Sequence, residues 1–211
     1  IKDSVYLRDR QMRNLGGIKS MRKVVKFGGS SLASAEQFKK VGDIIRADKG
    51  RKYVVPSAPG KRFDGDIKVT DMLYACYAKA EKKEDITASI AAIRERYMEI
   101  INGLGLSLSL DDQFEVISEN FKKLAGSNYA ASRGEYLNGI IMANYLGYEF
   151  IDAAEVIVFH EDGTFDAETT NEKLSARLAE CDNAVIPGFY GATAEGKVTT
   201  FSLSLIHISE P

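Results

Sequence analysis

A short β-branched run, Lys23-Val24-Val25-Lys26-Phe27, ends on Gly28-Gly29 and is followed by a helix signal. Ser34 and Gln37 have capping-box spacing, and Ala35, Phe38, Val41, Ile44 and Ile45 follow at helical intervals. This strand, glycine turn and helix begin an alternation that constrains everything downstream. Residues 52–58 (KYVVPSA) read as a second strand ended near Pro56, because proline cannot donate into a ladder. A polar, glycine-containing loop covers 60–68, and Val69, Met72, Leu73, Cys76, Tyr77 and Ala80 then trace an amphipathic helix. Further helices are expected over 85–101, 111–125 and 132–146, the last stopped by Gly147 as a C-cap. Strands follow at 149–153 and 155–159, a helix near 170–181, a strand at 183–187, a turn at Gly188 and Gly191, and a last strand at 197–201. Such alternation predicts an α/β protein whose mainly parallel sheet is covered on both faces. Ligands of such sheets bind at the carboxyl ends of the strands.

Composition narrows the function. With 28 Lys and Arg against 30 Asp and Glu, the formal charge of the 211-residue chain is −2. No field of that size holds a nucleic acid or an anionic membrane, so neither is expected as a partner, and any affinity for phosphate must come from a local site. Cys76 and Cys181 make neither a disulfide framework nor a zinc site. They read as buried thiols in a reducing compartment, and the cytoplasm is the expected location. No apolar run approaches the roughly 18 residues of a membrane span.

Five local signals could carry chemistry. In Lys26-Phe27-Gly28-Gly29-Ser30-Ser31, two glycines let main-chain amides approach a ligand, the helix behind adds its positive end, and Lys26 adds a point charge. That composition suits phosphate, although it is neither a Walker A loop nor GxGxxG, and a lone GGSS is equally a flexible loop. Gly60-Lys61 also fails the Walker pattern, because Arg62 follows. Ser57-Ala58-Pro59-Gly60-Lys61 and Thr70-Asp71 place hydroxyls at a strand end and a helix start, where they bind carboxylates or serve as caps. Ser132-Arg133-Gly134-Glu135 puts Glu135 at an expected helix start, where a carboxylate also favours the dipole. Gly188-Phe189-Tyr190-Gly191-Ala192-Thr193 is a glycine-rich turn after an apolar strand. His160 and His207 have no partner pattern and are expected at the surface, and Asp111-Asp112 and Asp64 with Asp66 are expected to be solvated. No residue set reads as a protein-held metal site.

The ends differ in character. Residues 1–20 have no clean period, and Gly16-Gly17-Ile18 before Met21 is what a purine-rich ribosome-binding sequence would encode in frame. Residues 1–21 are therefore expected to be a non-native upstream extension, 22–202 the folded domain, and 203–211 a foreign or frameshifted tail.

Taken in order, the five signals resemble the aspartate kinases of the amino-acid kinase superfamily. The resemblance rests on Val25 to Ser31, Val55 to Lys61, Val69 to Leu73, Ser132 to Glu135 and Val185 to Thr193 with Gly196, and covers about 22–202. It implies a three-layer αβα sandwich of the carbamate-kinase-like kind, truncated to its substrate half. It also implies ATP-dependent phosphorylation of the side-chain carboxylate of L-aspartate to 4-phospho-L-aspartate, the first step toward lysine, threonine and methionine. Lys26 would lie against the transferring phosphoryl group as the catalytic cation, in keeping with a transfer that needs positioning and charge neutralisation. Gly28, Gly29 and Ser30 would cradle ATP phosphates with Lys26. Ser57, Thr70 and Glu135 would hold aspartate, Glu135 on its ammonium. Mg²⁺ would arrive with ATP rather than in a protein cage.

Where the family continues with Arg-Gly-Gly-Ser-Asp, this sequence has Leu203-Ser204-Leu205 after Ser202. The arginine expected on the substrate α-carboxylate is thus absent, and so are the adenine-binding and regulatory regions. The chain alone is expected to be inactive, and homo-oligomers are expected only of the full-length protein. The alternatives are a non-catalytic fragment, or a related kinase acting on acetylglutamate, glutamate, carbamate or a nucleoside monophosphate. A dinucleotide-dependent dehydrogenase is disfavoured because GxGxxG is absent.

Overall fold

The computed structural model describes residues 22–201, so the expectations for the extension through Met21, for the tail from Leu203 and for His207 lie outside the described residues. The chain opens with β1 (Lys23–Phe27), a single 3-10 turn at Gly29–Leu32, α1 (Ala35–Arg46) and β2 (Arg51–Pro56). Four long helices follow: α2 (Val69–Glu81), α3 (Thr87–Leu104), α4 (Asp111–Lys122) and α5 (Ser127–Leu146). The rest comprises β3 (Glu149–Phe150), α6 (Ala153–Val156), β4 (Val158–Phe159), β5 (Phe165–Asp166), α7 (Ala167–Ala179), β6 (Ala184–Val185), β7 (Tyr190–Thr193) and β8 (Val198–Thr200).

The first sheet runs β1-β2-β6-β3 and is parallel throughout. The second runs β5-β4-β7-β8, parallel only between β4 and β7. Period-two alternation along the first sheet sends side chains to opposite faces. Val54 and Val185 pack into a core with Phe38 of α1, Leu73 of α2, Ile93 of α3 and Leu137 of α5. Tyr53, Ala184 and Ile186 face the other way, onto Leu174 and Leu178 of α7. The result is the expected αβα sandwich with a mainly parallel sheet. Each such buried aliphatic or aromatic side chain contributes roughly 1.5–3 kcal/mol. Among the described residues no helix is long and apolar enough to cross a membrane.

Local chemistry sets the boundaries. The Ser34 hydroxyl accepts the Gln37 N–H at 3.4 Å, as the capping box requires. Gly147 ends α5 with φ +69, the left-handed conformation a C-cap calls for.

Several expectations need correction. Ile44 is 48% exposed and lies beside the buried stripe of α1, not in it. Helix α5 starts at Ser127 instead of 132, so the Ser132–Glu135 block lies inside the helix. The expected strands at 149–153 and 155–159 are cut to two residues each, because the Asp152 side chain accepts the Ala154 N–H at 3.0 Å and starts α6 between them. Gly191 is not a turn residue but sits in β7, where a Cβ would run into the Ile157 carbonyl. Cys76 is buried, whereas Cys181 is only partly so. Asp66 is not solvated: its side chain is 9% exposed, enclosed by Arg62 and Arg96. His160 is exposed, as expected.

Candidate active site

The carboxyl ends of β1 and β2 are adjacent, with Phe27 paired to Pro56. Ligands are expected at that edge of a parallel sheet. A cavity of about 450 Å³ opens there, and its lining includes Gly29, Ser30, Ser57, Thr70 and Glu135, five of the residues singled out by sequence. Ala58, Pro59, Gly60, Lys61 and Lys68 complete it. A larger groove of about 680 Å³ between α3 and α4 contains none of the predicted residues. Lys26 and Gly28 do not line the 450 Å³ cavity. They are exposed beside it, at the end of β1, and the Lys26 charge still acts on Glu135.

Glycines make the floor. Gly29 and Gly60 touch main chain to main chain, the Gly60 N–H donating to the Gly29 carbonyl at 2.8 Å. The 3-10 turn inserted before α1 corrects the idea that α1 itself faces the ligand: its first turn is capped by Ser34 and lies behind the GGSS segment. The N–H groups of Gly28, Gly29 and Ser30 find no protein acceptor among the described residues. Three amides without a protein acceptor, beside an exposed lysine, leave N–H donors and a positive charge at this edge, a setting that suits an anion.

Glu135 forms the opposite wall and is 8% exposed. Gly134 allows this, since a Cβ there would lie 2.8 Å from that of Ala58. Helix α5 therefore presses against the strand end, and the Ala58 N–H donates to Glu135 Oε1 at 3.2 Å. The Tyr97 hydroxyl donates to the Gly134 carbonyl at 2.8 Å and fixes the turn. Glu135 Oε2 is buried with no partner among the described residues. Burial pushes the carboxyl up to about 7, against the opposing pull of the Ala58 amide, Lys26 and Arg133. An unpaired buried carboxylate oxygen is costly unless a donor reaches it. Glu135 is the one acid in the lining, set with Lys61, Lys68 and the hydroxyls of Ser30, Ser57 and Thr70, while Ala58 and Pro59 add apolar wall.

Three contributors escaped the sequence reading, and a fourth, Lys61, was named there only in the Ser57–Lys61 signal and the failed Walker pattern, with no role of its own. Asn138, one turn beyond Glu135, is fully buried and donates to the Ser57 carbonyl at 2.6 Å, while its Oδ1 lacks a partner among the described residues. Arg96, 5% exposed, donates to the Gly60 carbonyl at 3.0 Å and pairs with Asp66 at 2.5 Å. Its signal was a charge inside the apolar stripe Ile93, Tyr97 and Ile100. Lys61 and Lys68 line the cavity and make no ion pair among the described residues. A spacing argument had no means of aiming either side chain.

A family model described as the amino acid kinase family matches residues 21–207. Aspartokinase 3 of Bacillus subtilis is 37% identical over 198 residues, covering 86% of this chain and 43% of that protein. Aspartokinase of Chlamydia trachomatis is 29% identical over 206 residues, covering 87% and 45%. Among solved structures, aspartate kinase of Clostridium acetobutylicum superposes with a TM-score of 0.82 at 50% identity, covering 85% of this chain and 41% of that one. E. coli aspartokinase III in complex with aspartate and ADP gives 0.67 at 23% identity, covering 85% and 43%, a likeness of fold alone. The chain spans less than half the length of the relatives it matches.

Proposed function

The chain belongs to the amino acid kinase family, and on that premise we propose that its cavity is the acceptor site of an aspartate kinase, which uses ATP to convert L-aspartate to 4-phospho-L-aspartate. The observation that carries this reading is Glu135: a buried carboxylate with one oxygen unsatisfied, the one acid lining a cavity whose other polar side chains are two lysines and three hydroxyls. An α-ammonium supplies the missing donor. A carboxylate acceptor suits the Ser57 side of the same cavity.

The roles follow from charge and position. Lys26, with the amides of Gly28, Gly29 and Ser30, neutralises the phosphoryl group as it moves from ATP to the side-chain oxygen of aspartate. Such a transfer is served by placement and electrostatics more than by covalent chemistry. Ser57 sits beside the reacting carboxylate, and Thr70 and Glu135 hold the amino-acid end. Mg²⁺, a hard cation that prefers oxygen ligands, would come with the nucleotide phosphates. The relatives' names support aspartate as acceptor; the start of lysine, threonine and methionine synthesis, in the cytoplasm, is the setting this reading carries with it. Turnover and oligomer formation belong, in this reading, to a protein of the relatives' full length. The 211 residues alone bind acceptor without sustained transfer, and trapping of aspartyl phosphate by hydroxylamine at the rate of a full-length relative would contradict that.

Hydrogen exchange on this chain tests the acceptor assignment. Aspartate should slow exchange across 132–136, and glutamate and UMP should not. Equal protection by all three, or by none, removes aspartate as the acceptor.

A further inference from the structure

The peptide between Ser57 and Ala58 is gripped at both ends by one helix. Its carbonyl accepts the Asn138 Nδ2–H at 2.6 Å, and its N–H donates to Glu135 Oε1 at 3.2 Å. Glu135 and Asn138 stand three residues apart on α5, which puts them on one face of the helix. The Ser57 N–H is already committed to the Phe27 carbonyl at 3.0 Å, so β1 anchors the same residue. Two glycines bring the helix this close. A Cβ on Gly134 would lie 2.8 Å from that of Ala58, and one on Gly139 would lie 2.8 Å from the Pro187 Cγ.

Asn138 itself is fully buried and does not line the cavity. A carbonyl opposite fixes which end of its amide points at Ser57, since only Nδ2 donates. The Oδ1 at the other end is buried without a partner among the described residues. An orphaned buried acceptor costs stability, so packing alone gives no reason for an amide here. The donor gives one. Hydrogen bonds in a chain polarise and strengthen one another, and this chain runs from Asn138 through the Ser57–Ala58 peptide to Glu135. A better Ala58 donor favours the ionised carboxylate that an ammonium needs.

Building on the acceptor reading, we propose that Asn138 is a positioning residue of the acceptor site: it touches no ligand, and it holds the Ser57–Ala58 peptide so that Ser57 and the Glu135 carboxylate keep their places in the cavity wall. The other charged or titratable groups around Glu135 are Lys26 on β1, Arg133 on α5 and Tyr97 on α3, with Lys61 and Lys68 along the cavity. None of them belongs to this chain of bonds.

NMR on the 211-residue chain tests this with Asn138→Leu, Asn138→Ala and a control, Ile141→Val, a buried apolar change in the next turn of α5. The readings are the Ala58 amide proton, the Glu135 carboxyl ¹³C titration and the affinity for L-aspartate. Both Asn138 variants should move the Ala58 proton upfield and raise the Glu135 titration by about half a pH or more. Both should weaken aspartate roughly threefold to tenfold at pH 7, the range for one lost hydrogen bond. Ile141→Val should lower thermal stability and leave all three readings in place. If one Asn138 variant does not fold, the other decides. An unmoved Ala58 proton and Glu135 titration overturn the proposal, as does an aspartate affinity equal to the parent's. The same changes in Ile141→Val also overturn it, because they mark a general loosening of α5. Each of these leaves the acceptor reading standing. A parent chain that binds no aspartate refutes the acceptor reading and this inference together.

Discussion

Gly29 and Gly60 stand so close that neither has room for a side chain. A Cβ on Gly60 would lie 2.7 Å from the Gly29 carbonyl carbon and 2.8 Å from the Ser30 nitrogen, and one on Gly29 would lie 2.8 Å from the Ala58 oxygen. Those obstacles are main chain, which cannot rotate away as a side-chain tip can. The contact joins the two strand-end loops into one surface, so that the free amides after β1 and the hydroxyl loop after β2 face one cavity.

Gly60→Ala should therefore cost about 1–3 kcal/mol, the range for overpacking a filled site. Gly28→Ala is the control: nothing lies within 4 Å of its Cβ, and its φ of −76 suits alanine. It should stay within about 0.5 kcal/mol of the parent. Urea denaturation of both variants is the measurement, and equal stabilities would mean that the loops do not touch as described.

Glu135→Gln should stabilise the chain in a pH-dependent way. The folded acid titrates near 7, above the ordinary 4.5, because burial disfavours its charge. Between those values the unfolded chain loses a proton that the folded chain keeps, so stability falls as pH rises through the window and the deficit is constant above it. Removing the acid should stabilise the chain above pH 7 by on the order of 3 kcal/mol, with the gain vanishing near pH 4. Aspartate binding should move oppositely, lost in the variant and weakening in the parent as pH drops below about 7. Thermal melts at pH 5 and pH 8, with an aspartate titration at each, give both readings. A variant less stable than the parent at pH 8 would show that the oxygen without a partner costs nothing.

Much of this was legible beforehand for a physical reason. Strand β1, the Ser34 cap and the α2 stripe are written in local spacing, and local spacing is what a sequence displays. Glu135 was legible as a residue but not as an environment. Its burial depends on Gly134 letting α5 meet Ala58, a contact between residues 76 apart in the chain. The short strands β3, β4 and β6 were overextended because a two-residue pairing has no period of its own. Asp66 was misread as solvated because its two arginines come from different places, Arg62 four residues back and Arg96 a helix away.

That arginine pair yields another prediction. Arg62, then Arg96, hold the Asp66 carboxyl well below the usual carboxylate range. A lowered value contributes stability above the ordinary titration of an aspartate and loses it only as pH falls below about 4. Asp66→Asn leaves Arg96 buried without its counter-ion and should cost about 3–5 kcal/mol at neutral pH. Arg62→Met removes a partner that is 30% exposed and should cost under about 1 kcal/mol. Amides of the 60–68 loop should exchange faster in Asp66→Asn. If the two variants prove equally mild, Arg96 does not clasp the loop.

Arg133 is buried at 6% exposure with no carboxylate partner among the described residues. Its Nε and Nη2 both donate to the Ser132 hydroxyl at 3.0 Å, and its guanidinium lies over the rings of Tyr136 at 4.4 Å, Tyr129 at 4.6 Å and Tyr190 at 5.4 Å. Two of those rings are on α5, and the third is on β7, where the Tyr190 hydroxyl donates to Asp152 at 2.7 Å. The arginine thus ties the helix that carries Glu135 to the second sheet, using ring faces in place of a counter-ion. A desolvated cation over aromatic faces is worth about 2 kcal/mol. Arg133→Met, which keeps most of the volume, should lose about that much, and Arg133→Lys should recover little, because a compact ammonium cannot stack as a planar guanidinium does. The decisive measurement is a double-mutant cycle of Arg133→Met with Tyr190→Leu. Coupling above about 0.5 kcal/mol is expected for groups in contact. Additivity within that margin would mean the helix and the second sheet are held together by apolar packing alone, with the charge as bystander.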